Sequence, residues 1–119
     1  MKQLLILFAC IILTKIAGAQ SINGRWRSED KSRIYKIEEK EGAYQALLEK
    51  SNRKDDHEHS VILDNVTYNK KKKRYEGIIY TVDRNNSRPV IITEEGNKLK
   101  LRLKRLVFEN VDTYWYREQ

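Results

Sequence analysis

Few residues in this chain are equipped for chemistry, and the two histidines fall together in Asp55-Asp56-His57-Glu58-His59. In an extended segment His57 and His59 share a face with Asp55. Zinc needs three or four rigidly held ligands with partners that orient them, whereas Asn52 to His59 contains no apolar side chain and reads as a solvated loop. No metal is assigned. Ser-His-Asp catalysis would have to use the same histidines, and no serine lies in a Gly-x-Ser-x-Gly elbow. Acid-base work on a glycoside needs two carboxylates across a cleft. The grouped ones, Glu38 with Glu39 and Glu41, or Glu94 with Glu95, sit beside turns where charge is ordinarily solvated. Phosphate-binding glycine loops are absent. The sequence assigns no catalytic residue and no cofactor.

Binding chemistry is better represented. Lys98-Leu99-Lys100-Leu101-Arg102-Leu103-Lys104 alternates with period two, which puts the leucines on one strand face and four cations on the other. Lys70-Lys71-Lys72-Lys73-Arg74 is a second basic feature, placed as a hairpin tip. On the last strand Tyr114 and Tyr116 face opposite to Thr113, Trp115 and Arg117, so one of the two sets meets the core. Lys98, Lys100, Arg102, Lys104, Tyr114 and Tyr116 are therefore the candidate ligand-binding residues. The partners that fit are an anionic lipid, an acidic polysaccharide or another envelope protein. Nucleic acid is not expected, because no aromatic-rich strand-binding pattern accompanies the lysines.

The elements that must carry these residues are strands. Beyond residue 19, 24 of 33 apolar side chains are Ile, Val or aromatic, against seven Leu and two Ala. That balance favours sheet over helix. Strand-like runs recur at 22–27, 33–38, 43–50, 61–68, 74–82, 88–93, 98–104, 106–109 and 113–117, with turn residues between them. The 61–68 run fits a helical turn almost as well as a strand. Connections this short exclude crossover helices, so the strands pair as an antiparallel meander. Its exposed edges disappear if it closes into a small barrel of about eight strands. The apolar content fills one modest core, and a deep ligand pocket is not expected.

The first 19 residues read as a secretion signal: Lys2, an apolar run from Leu4 to Leu13, then Ala17-Gly18-Ala19 before Gln20. Ten apolar residues are too few to span a bilayer that needs about 20. No transmembrane segment is therefore expected in the mature domain, 20–119. Lipid attachment at Cys10 is the alternative, through Leu7-Phe8-Ala9-Cys10. Cys10 is the single cysteine, so the exported chain has no disulfide, thiol catalysis or thiolate metal site. The mature part carries 22 basic and 17 acidic side chains.

Gly24-Arg25-Trp26 and Trp115-Tyr116-Arg117 frame the mature chain. Gly24 permits close approach, the Trp26 indole can plug a barrel end, and Arg117 can stack on that ring. Gly24, Trp26, Trp115 and Arg117 are thus read as a structural clasp. With Gly42-Ala43-Tyr44, the 75–80 stretch and Lys98-Leu99-Lys100-Leu101, these motifs resemble the small exported bacterial proteins of domain of unknown function family 2147. The resemblance implies a periplasmic or secreted lipocalin- or calycin-like barrel with no established activity. The expected function is a non-catalytic envelope-associated binding module that uses the barrel mouth or the basic face. An enzyme acting on envelope carbohydrate, marked by a carboxylate pair in a cleft, is the alternative. A purely structural protein-interaction module is the third.

Overall fold

The computed structural model describes residues 21–81, 86–104 and 111–118. Eight strands run β1 (Gly24–Ser28), β2 (Arg33–Lys40), β3 (Ala43–Ser51), β4 (Val61–Asn69), β5 (Arg74–Tyr80), β6 (Ser87–Glu95), β7 (Lys98–Leu103) and β8 (Val111–Arg117). Each pairs antiparallel with the next, and β8 returns to β1 through Trp26↔Arg117, Arg27↔Tyr116 and Ser28↔Trp115. The result is a closed up-and-down barrel, so no strand keeps an unpaired edge. The run expected at 106–109 lies outside the described residues. Among those that are described, no helix is long and apolar enough to cross a membrane.

Period-two alternation sends one side chain in two to the interior. Tyr35 and Ile37 of β2, Ala46 and Leu48 of β3, Val90 and Ile92 of β6, and Leu99 and Leu101 of β7 are all buried. Removing each large aliphatic chain from water contributes about 1.5 to 3 kcal/mol. The β4 run that reads ambiguously in sequence is a strand with a bulge. Its register shifts between Asp64 and Thr67, Asn65 has φ +51°, and the adjacent Ile62 and Leu63 are both buried. An extra residue breaks the alternation, which is why the spacing imitates a helical turn. Gly77 on β5 makes room for this bulge, since a Cβ there would lie 2.6 Å from Val66 Cγ2 and 2.9 Å from its Cα.

The two barrel ends are built differently. At one, β2–β3 turns through Glu41-Gly42, both with positive φ (55° and 84°). There β6–β7 turns through Gly96-Asn97 and β4–β5 through Lys70 to Lys73. These are short hairpins of the kind that match strand twist. The opposite end carries the longer connections, among them the 52–60 loop between β3 and β4.

Candidate binding site at the open end of the barrel

At the end with the long connections the described residues do not fill the interior. A pocket of about 500 Å³ opens there, bounded by Arg33 and Tyr35 of β2, Ile79 and Tyr80 of β5, Arg88 of β6, Leu103 of β7, and Thr113 and Trp115 of β8. Asp55 and Asp56 come from the 52–60 loop. This corrects the expectation of no deep pocket. The apolar residues suffice for one packed core, but that core lies toward the other end and, among the described residues, leaves this mouth unfilled.

Strand parity brings Arg33 with Tyr35, and Thr113 with Trp115, to the pocket. Tyr35 and Trp115 come from the two neighbours of β1 and stack face to face, with centroids 3.9 Å apart and planes 10° from parallel. Both are nearly inaccessible, and they form the floor. Burial pushes the Tyr35 phenol above its usual range, with Arg33 pulling partly the other way, so the ring is neutral at physiological pH.

Arg33 is paired with a carboxylate. Its Nε and Nη2 donate to the Asp56 carboxylate at 2.6 and 3.0 Å, and Ser51 Oγ donates to the same group at 2.5 Å. Hydrogen bonds from Arg33 hold the Asp56 carboxyl down at about 2 against the opposing effect of burial, with Ser51 adding a smaller downward pull. Asp56 therefore stays ionised and holds no proton to donate at neutral pH. The 52–60 loop, expected to be merely solvated, is tied to the barrel by this pair. It is held further by the Arg53 to Asp30 ion pair and by Ser51 N donating to Glu58 at 3.2 Å.

Arg88 is different. It shares the inward parity of Val90 and Ile92 on β6, stands opposite Ile79, and is half-buried. Among the described residues its guanidinium has no carboxylate partner and no side-chain hydrogen bond. A cation desolvated without a partner is costly, and here the vacant side faces a pocket with an aromatic floor. The sequence reading missed Arg33, Tyr35 and Arg88. The signal was there in the alternations Arg33-Tyr35-Ile37 and Arg88-Val90-Ile92, which place both arginines inside.

The residues picked from sequence as a ligand surface do come together, on the outside. The register pairs Lys98 with Tyr116, Lys100 with Tyr114 and Arg102 with Asp112. Asp112 was not anticipated, and it takes much of the charge. Arg102 donates to it at 2.9 and 3.2 Å, and Lys100 Nζ lies 3.8 Å away. Lys98 Nζ sits 4.9 Å from the Tyr114 ring centroid, Tyr116 is exposed, and Lys104 is exposed just past β7.

The predicted clasp residues divide between the ends. Arg117 Cζ lies 4.2 Å from the centroid of Trp26, and its Nη1 and Nη2 donate to the carbonyls of Asn23 at 3.1 Å and Ser21 at 3.3 Å. Trp26 is fully buried and donates Nε1–H to Ile22 O at 2.8 Å. Gly24 has φ +123°, and a Cβ there would sit 3.1 Å from Arg117 Nη1. Trp115 does not join them: two residues back along β8, opposite Ser28, it stacks on Tyr35 and floors the pocket that opens at the other end. His57 and His59 are exposed, and among the described residues no three His, Cys, Asp or Glu side chains converge as a metal site. No family model, curated protein or solved structure matches the chain.

Proposed function

We propose that this protein is a non-catalytic binding module of the bacterial cell envelope that takes a small amphipathic anion into the open end of its barrel. The leader pattern of residues 1–19 and the resemblance to the exported family of domain of unknown function 2147 support the location. The observation that carries the binding reading is Arg88, which has no carboxylate partner among the described residues and lines the same 500 Å³ pocket as the Tyr35–Trp115 stack. Arg33 and Asp56 cancel one another, and Asp55 is exposed at the rim where water screens it. Arg88 thus sets the charge preference inside. A ligand carboxylate satisfies it with charge-assisted hydrogen bonds, while the ligand's apolar body covers Ile79, Leu103 and the Tyr35–Trp115 stack.

Octanoate and octanol test this, because they share a body and differ in charge. Calorimetric titration is expected to show saturable octanoate binding, weakened about 10- to 100-fold in Arg88→Ala, with octanol binding little changed. Lys98→Gln leaves both alone. Octanoate binding that is unaffected by Arg88→Ala would remove the proposal.

A further inference from the structure

The opposite end carries an independent feature. Lys70 to Lys73 form the whole β4–β5 turn, and all four are exposed. Among the described residues none has an ion-pair partner, although cations elsewhere on the wall are matched: Arg25 to Glu49 at 2.7 Å, Arg74 to Glu76 at 2.8 Å and Arg102 to Asp112. The other two turns at this end balance formally, Lys40 with Glu41 and Lys98 with Glu95. The charge is therefore concentrated in one tip.

The tip is ordered by its own hydrogen bonds. Lys72 N donates to Asn69 Oδ1 at 3.1 Å, and Lys73 adopts φ +55°, a left-handed conformation that glycine or asparagine takes more easily. A turn that needed only to be hydrophilic would be easier to form with glycine there. Lysine stands at that position instead. Beside the tip lies Tyr68, the most exposed large apolar residue described, at 48%. Its ring packs edge-on against Tyr75 with centroids 4.9 Å apart, and Tyr75 in turn meets Tyr44 at 5.6 Å. Tyr68 is thus anchored to the buried Tyr75 while about half of it remains exposed.

We infer that this end of the barrel, through Lys70 to Lys73 and Tyr68, docks on an anionic lipid surface. Clustered lysines are drawn to anionic head groups, and tyrosine, with its apolar body and polar tip, suits the head-group boundary. Docked this way, the barrel turns its pocket mouth away from the bilayer.

The test is flotation with phosphatidylcholine vesicles, with and without about one-quarter phosphatidylglycerol, at about 0.15 M salt. The protein is expressed from the full chain so that cellular processing sets its N-terminus. Binding should require the anionic lipid and weaken roughly fivefold for each lysine changed to Gln, and Tyr68→Ser should weaken it further. Replacing all four lysines by Arg should retain it. Three results overturn the inference: equal flotation with neutral vesicles, no loss in the four-Gln variant, or binding to soluble dextran sulfate as strong as to vesicles and indifferent to Tyr68→Ser. The last would assign the tip to polyanionic polysaccharide. None of these outcomes depends on Arg88.

Discussion

The two ends of the barrel each present an arginine and an aromatic group, and they use them in opposite ways. At the latched end Arg117 lies over Trp26 and donates to two backbone carbonyls, so both partners serve closure. At the open end Tyr35 and Trp115 stack on one another, and Arg88 lines the same pocket without a carboxylate partner among the described residues. An arginine is structural where a ring and backbone carbonyls hold it, and available for recognition where the described residues offer it no such partner. The connections differ as well: tight hairpins join the strands at the latched end, whereas at the open end the 52–60 loop brings Asp55 and Asp56 to the pocket.

The largest expected effect tests the latch. Trp26→Ala removes a fully buried indole and should cost about 3 to 5 kcal/mol, much of the stability of a domain this small. Arg117→Ala should cost about 1 to 2 kcal/mol through the lost cation–π contact and hydrogen bonds, read as a fall of about 4 to 8 °C in Tm per kcal/mol. It should leave octanoate affinity intact. A binding defect in Arg117→Ala would break the separation of the two ends.

A smaller effect belongs to the open end. Asp56 has a folded pKa of about 2, depressed below its ordinary value of 3.8. Its contribution is therefore complete above about pH 4 and is lost as pH falls toward 2. Its worth is on the order of 1 to 2 kcal/mol, allowing for partial exposure of the pair. In Asp56→Asn the acid limb of a urea-denaturation series should flatten. An unchanged limb would assign the acid sensitivity to other depressed carboxylates, such as Asp112 beside Arg102.

Much of the barrel is legible in the chain because period-two alternation and turn residues are local signals. The β7 leucines are the clearest instance, and they are buried as the pattern requires. The pairing of Arg117 with Trp26 is also readable, since closing a meander brings its first and last strands together. What escapes is whatever depends on a distant neighbour. Asp112 neutralises the β7 cations only because β8 sets it opposite Arg102. Asp56 is held only because the 52–60 loop folds back on Arg33. Arg88 follows its strand's parity, yet its lack of a partner depends on what the other strands do not place near it. The β4 bulge hides for a related reason: the glycine that accommodates it, Gly77, lies on the next strand.

The most direct test of the account is a backbone-amide NMR titration with octanoate. Saturable shifts should cluster at the open end, on Ile79, Arg88, Leu103 and Thr113, and leave Gly24, Gly42 and Gly96 at the latched end unmoved. Shifts centred on the outer face of β7 and β8, or on the latched end, would contradict it.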